Sequence, residues 1–271
     1  MIFAPFGFRQ EQVTVGPTPT PSPTPTDTPT PTPTDTPTPT PTPTPIPGII
    51  TSGLTVNLDA NDGTSYPGTG TTWFDISGNG YDSTLYNGPV FNSGTPDYFQ
   101  FDGVNDYGDL PTGTFGSNTG DFTYGGWINP TTSGTEQICM IRGQDGLGGW
   151  SLMLNLRPDN KLRVSAVADG AEVQAAAPTV ATTGVWVQVY GVWKSGSSHK
   201  LYINGALITN TSTTRTTLRT SSPGSWEYGR FRASLILPWK GQISTINLYH
   251  RELSDVEILE NYNNTKSIYG Y

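Results

Sequence analysis

Val185-Trp-Val-Gln-Val-Tyr-Gly-Val-Trp193 places valines at 185, 187 and 189, alternating with aromatic or polar residues, before closing on Gly191-Val-Trp193. β-Branched and aromatic side chains at a period of two predict a strand, because alternate residues of a pleated chain point to opposite faces. The same reading extends outward to Phe122-Thr-Tyr-Gly-Gly-Trp-Ile-Asn129, Trp150-Ser-Leu-Met-Leu-Asn-Leu156 and Lys161-Leu-Arg-Val-Ser165. It also takes in Leu54–Leu58, Tyr98–Phe101, Ile138–Ile141, Lys200–Ile203, Trp226–Gly229 and Ile243–Tyr249, with Gly, Asn, Asp and Ser between the runs. Roughly a dozen strands follow from this pattern.

Two local signals are sharper. Asn204-Gly205 joins Lys200-Leu-Tyr-Ile203 to Ala206-Leu-Ile208, and both turn residues tolerate the positive φ of a type I′ hairpin. Ser254-Asp-Val-Glu257 reads as a capping box that starts one short helix, through about Asn261, with Val256, Leu259 and Tyr262 facing the sheet. Many strands and one terminal helix predict an all-β, two-sheet sandwich over residues 49–271.

The preceding segment has another character. Residues 17–48 are almost entirely proline and threonine, relieved by Asp27 and Asp35. Each proline holds φ near −65° and pushes the residue before it toward extended geometry, so neither helix nor ladder forms. This tract is expected to be a disordered or polyproline II stalk, on the order of 95 Å long if fully extended. Residues 1–16 hold Ile2, Phe3, Phe6 and Phe8, read as an anchor peptide whose aromatics dock into a larger assembly.

A net charge of −8 with dispersed basic residues excludes nucleic acid as a natural partner. Cys139, the lone cysteine, lies in the apolar run Ile138-Cys-Met-Ile141 and is expected to be a buried strand residue. Met1–Phe8 lacks the basic start of a secretory signal, and no run approaches the roughly 20 apolar residues of a membrane span. Release within a virus particle is one route out of a cell for such a chain.

Asp75-Ile-Ser-Gly-Asn-Gly80, Leu85-Tyr-Asn-Gly88 and Phe101-Asp-Gly-Val-Asn-Asp-Tyr107 resemble the opening of laminin G-like, concanavalin A-type jelly rolls. Leu201-Tyr-Ile-Asn-Gly205, Gly241-Gln-Ile-Ser244 and Tyr249–Ile258 followed by Asn261-Tyr262 resemble their close. The likeness spans about residues 50 to 271 and implies the fold; that fold hosts lectins, adhesion modules, glycosidases and structural domains alike. The whole layout of aromatic terminus, stalk and C-terminal jelly roll also resembles virion structural proteins of tailed bacteriophages, cyanophages among them.

Retaining glycosidases on this fold carry closely spaced acidic residues of the Glu-x-Asp-x-Glu kind. Here Glu136, Glu172, Glu227, Glu252, Glu257 and Glu260 are scattered. His199 and His250 are placed on the surface, so no catalytic constellation is read and a non-enzymatic role is expected. The oxygen-rich loops make Asp75, Asn79, Asp102 and Asp106 candidate calcium ligands, which the resemblance also implies, against the alternative of ordinary turn residues. For sugar stacking, Trp127, Trp186 and Trp193 are placed in the core. Trp73, Trp150, Trp226 and Trp239, beside turns, are the candidates to reach solvent, each against the alternative that it packs in the domain rather than serving as a platform. Arg215, Arg219, Arg230 and Arg232 bracket Trp226; Arg230 and Arg232 are taken as candidates to face an acidic polysaccharide.

The expected function is a virion surface fibre or decoration protein, docked on capsid or tail by its N-terminal peptide and presenting the jelly roll to a host glycan or protein. Rival readings are a carbohydrate-binding module or glycan-degrading enzyme component, and a self-assembling filament or cement subunit. Membrane insertion is not expected, and a homo-oligomer is open.

Overall fold

The computed structural model describes residues 48–114, 119–143, 149–219, 225–231 and 237–271, besides the isolated positions 7, 12, 14 and 16. The anchor residues Ile2, Phe3, Phe6 and Phe8, the stalk over 17–47 and Arg232 lie outside the described residues. The chain divides between Thr44 and Pro45 into two units, and every strand and helix described belongs to the second.

Strands β1 (Leu54–Asp59), β2 (Thr72–Trp73), β3 (Ser83–Tyr86), β4 (Val90–Asn92), β5 (Tyr98–Asp102) and β6 (Tyr107–Asp109) come first. Next are β7 (Phe122–Pro130), β8 (Gln137–Arg142), β9 (Leu152–Leu156), β10 (Leu162–Ala168) and β11 (Ala171–Ala176). Then come β12 (Val187–Lys194), β13 (Ser198–Ile203), β14 (Ala206–Ser212), β15 (Trp226–Tyr228), β16 (Lys240–Ile243) and β17 (Thr245–Tyr249). Helix α1 (Asp255–Thr265) and a 3-10 turn (Lys266–Tyr269) are last.

The strands form two antiparallel sheets. One runs β14-β13-β12-β7-β16-β5-β4, with β17 pairing both β7 and β1; the other runs β11-β10-β9-β8-β15-β6-β3-β2. Alternation supplies the core between them: Leu152, Leu154 and Leu156 of β9 and Val164 and Ala166 of β10 share one cluster with Val189 and Trp193 of β12. Burying each leucine contributes roughly 1.5–3 kcal/mol. Gly108 shows how tight this interior is: a Cβ there would run into the ring of Tyr228, whose hydroxyl meets Ser83 Oγ at 2.7 Å. Cys139 is buried in β8, where the sequence placed it.

The hairpin at Asn204-Gly205 has φ of 50° and 78°, as a type I′ turn requires. The capping box forms too: Ser254 Oγ accepts from the Glu257 amide and the Glu257 carboxylate accepts from the Ser254 amide. The helix departs from expectation in its extent and its face. It continues to Thr265, and Val256 is 72% and Leu259 46% exposed, while Ile258 and Asn261 are buried. Asn261 is drawn inward by hydrogen bonds: its Oδ1 accepts from the Ile50 amide at 2.7 Å and its Nδ2 donates to Tyr249 Oη at 3.2 Å. Ile258 packs with Tyr190, Val192, Tyr202 and Tyr249 on the outer face of the first sheet.

His199 corrects a second expectation. It stands opposite Trp193 on β13, so it shares that residue's inward face and is fully buried rather than exposed in the turn. Its Nε2 lies 3.0 Å from Tyr124 Oη and its Nδ1 3.3 Å from the Val173 carbonyl, and burial pushes its pKa down to about 4. His250 is exposed, stacked on Phe122. Among the described residues, no helix is long and apolar enough to cross a membrane.

Candidate ligand pocket

Of the four tryptophans beside turns, three take the packing alternative and offer no platform for a sugar. Trp73 is 0%, Trp226 1% and Trp239 0% exposed, all within the main core. Nearness to a turn does not bring these side chains to solvent, because the chain passes from turn to inward-facing position within a residue or two. Trp150 is half-buried against Ile138, Ile141 and Met153, on the outer face of the second sheet. Trp186, expected in the core, is instead half-buried between Tyr98 and Tyr269, while Trp127 and Trp193 are buried.

Arg230 also turns inward. It is 8% exposed, with its guanidinium 3.1 Å from the centroid of Tyr107 and its Nε 3.5 Å from Glu227. Arg215 donates to the carbonyls of Ala168 and Asp169. These arginines hold loops and an inner carboxylate; they do not line up as an anion-binding rim.

The candidate calcium ligands serve their own loops. Asp75 accepts from the amides of Asn57, Ser77 and Tyr81, and Asn79 Nδ2 donates to the carbonyls of Leu54 and Thr55. Asp102 accepts from the amides of Val104 and Asn105, and Asp106 from that of Asp102. A calcium site needs several oxygens converging on one point. These oxygens are turned to backbone donors, and among the described residues no three His, Cys, Asp or Glu side chains are grouped so as to hold a metal ion. The four residues therefore do not fit calcium.

What the fold does assemble is a cavity of about 250 Å³ on the outer face of the first sheet. Its floor comes from Asn57 and Asp59 of β1, Trp127 of β7, Gln188 of β12, and Thr245 and Asn247 of β17. The 3-10 turn after α1 supplies Ile268 and Tyr269, and Gly48 and Ile49 lie along another wall. Tyr269 stacks on Trp127 with centroids 3.9 Å apart, and Trp127 Nε1 donates to Thr265 Oγ1 at 2.9 Å. Asn264 Nδ2 donates to the Gly48 carbonyl at 3.1 Å, holding the first described residues of the domain against α1.

Most polar groups of this floor are satisfied internally. Tyr190 Oη donates to Asn247 Oδ1 at 2.8 Å, and Asn247 Nδ2 donates to Asn57 Oδ1 at 2.9 Å. Gln188 is the exception: it is 1% exposed, yet neither Oε1 nor Nε2 has a hydrogen-bond partner among the described residues. Leaving a buried polar group unmet costs about 1–3 kcal/mol, so native structures seldom do it without water or a ligand nearby. Asp59 lines the same space; its Oδ1 takes both Asn61 donors, at 2.9 and 2.8 Å. Burial pushes the Asp59 carboxyl up, opposed by those bonds and reinforced by Asp62 and Asp97 nearby. From the sequence Trp127 was expected only as a core residue, and Asn57, Gln188 and Tyr269 carried no signal, because these residues belong to separate strands and a terminal turn.

The fold also brings together a pair the sequence could not show. Glu227 of β15 stands directly opposite Asp109 of β6, on one face of the second sheet. Glu227 is 2% exposed and its carboxylate faces Arg230.

A two-sheet antiparallel jelly roll with a polar, aromatic-walled pocket on one outer face defines a concanavalin A-type binding fold. The match to a family model over residues 102–259 makes the membership specific: this chain belongs to the concanavalin A-like lectin/glucanases superfamily. No curated protein matches it in sequence. Among solved structures, the receptor-binding domain of a botulinum neurotoxin C/D mosaic is similar, with a TM-score of 0.62 at 16% identity, covering 79% of this chain and 52% of that one. The binding domain of Paraclostridial Mosquitocidal Protein 1 gives 0.61 at 15%, covering 79% and 52%. The botulinum neurotoxin serotype D ligand-binding domain, solved with N-acetylneuraminic acid, gives 0.60 at 16%, covering 79% and 51%. This chain thus spans about half the length of the structures it matches.

Proposed function

We infer that this protein is a non-enzymatic adhesion component, a lectin-like domain that binds a glycan and is carried on a proline–threonine stalk. The observation that carries the reading is the buried Gln188 amide, whose two polar atoms have no partner among the described residues, at the floor of a cavity that Trp127 and Tyr269 also line. A sugar hydroxyl both donates and accepts, which is the complement such an amide requires. Superfamily membership supports the same reading, and the receptor-binding domains with this fold are consistent with it.

The stalk and the aromatic peptide before it fit a fibre or decoration protein of a virion surface, with the peptide docking on capsid or tail. A tethered domain present in many copies gains avidity without new contacts. The test is an array of bacterial surface polysaccharides probed with the purified full chain, alongside particles whose copies lack residues 1–16. Glycan retention by the full chain and loss of the truncated protein from particles are expected. Absence of any glycan binding would overturn the adhesion reading.

A glycan-degrading role is the second reading, and the Asp109–Glu227 juxtaposition is what favours it, since paired carboxylates can cleave glycosidic bonds. Against it, Glu227 is buried and faces a guanidinium. Release of reducing ends from a polysaccharide, abolished by Glu227→Gln, would establish hydrolysis in place of adhesion.

A further inference from the structure

The glycan-binding reading leaves open which sugars the pocket takes, and its size and charge narrow the answer. At about 250 Å³ it lies below the roughly 300–1,000 Å³ of sites for drug-sized ligands, which suits a single sugar ring. Its ionisable lining consists of Asp59, Asp62 and Tyr269, and no lysine, arginine or histidine among the described residues lines it.

An anionic ligand would therefore enter a partly desolvated space facing carboxylates, with no cation to compensate. Charge burial without a partner is among the costliest steps a site can impose. A neutral ring meets no such penalty. Its hydroxyls can satisfy Gln188 Oε1 and Nε2, and its C–H face can lie against Ile49, Ile76 and Ile268. Trp127, with Tyr269 stacked on its ring, lines the same space.

Resting on the glycan-binding reading, we propose that this pocket holds one uncharged pyranose residue, a neutral hexose or an N-acetylated hexosamine, and excludes sialic and uronic acids. Gln188 is the specificity-determining contact, and Asp59 and Asp62, with no cation opposite, give the pocket the charge that disfavours anions.

The test uses the full chain and four probes: the methyl glycosides of glucose and N-acetylglucosamine, N-acetylneuraminic acid and glucuronic acid. Binding is followed by saturation-transfer NMR and by the side-chain amide resonance of Gln188. The neutral glycosides are expected to shift that resonance, and Gln188→Leu to weaken them by about tenfold or more. Ile268→Trp, which fills the cavity from the 3-10 turn without touching its polar floor, should abolish binding and covers the case in which a Gln188 variant misfolds.

Acids binding the wild type as well as neutral sugars do, or neutral binding that survives both Gln188→Leu and Ile268→Trp, would overturn the proposal. So would retention of polysaccharide by the full chain without any shift at Gln188, which leaves the adhesion reading standing. Failure to bind any glycan overturns both.

Discussion

Acid should destabilise this domain through one residue, His199. The side chain is fully buried between the sheets, with Nε2 at 3.0 Å from Tyr124 Oη and Nδ1 at 3.3 Å from the Val173 carbonyl. Burial holds its pKa down to about 4, from the ordinary 6.5. Above about pH 6.5 both folded and unfolded chains carry neutral imidazole and the full stability is present. Between about pH 6.5 and about pH 4 the unfolded chain takes up a proton that the folded one refuses, so stability falls as the pH falls. At 1.36 kcal/mol per pKa unit, the loss reaches about 3 kcal/mol by the folded-state value.

Other groups titrate over the same range with both signs. Arg251 holds the Glu257 carboxyl down to about 2, so that pair also weakens in acid, whereas the raised Asp59 and Asp106 favour the folded state as they protonate. The measurement is therefore a difference: denaturant unfolding of wild type and His199→Gln, followed by tryptophan fluorescence at about pH 7 and about pH 4. The wild type should lose about 3 kcal/mol more than the variant between the two. Equal losses would mean that His199 is hydrated or already charged in the folded protein, and the placement between the sheets would be wrong.

Three further outcomes follow from the packing. Ser254→Ala removes the cap of α1 and should cost about 1 kcal/mol in denaturant unfolding; no change would mean the box is not formed in solution. Burial pushes the Cys139 thiol well up, so maleimide at neutral pH should label it only after denaturation, and labelling of the native protein would contradict its burial in β8. Gly108→Ala drives a methyl into the Tyr228 ring and should destabilise by about 1–3 kcal/mol, whereas unchanged stability would place Tyr228 elsewhere.

Much of the fold was legible because its signals are local. The alternation in Val185–Trp193, the Asn204-Gly205 turn and the Ser254–Glu257 box each depend on residues within a few positions of one another, and each forms. The side of the sheet a given tryptophan would take was less legible. Trp73 and Trp226 looked exposed from neighbouring turns, but both occupy inward strand positions, while Trp186 of the most apolar run is left half-buried. Pattern within one strand does not say which side the partner sheet will cover.

The sequence by itself determined that this is an all-β sandwich with one capped helix, because period-two patterning and turn chemistry are decided by near neighbours. Tertiary structure alone decided where a ligand can sit. The Gln188 side-chain amide is left without a partner among the described residues, and Trp127 meets Tyr269, only once β1, β7, β12 and β17 lie side by side beneath the terminal turn. Hydrogen-bond satisfaction and cavity shape depend on residues far apart in the chain, so no reading along it reaches them.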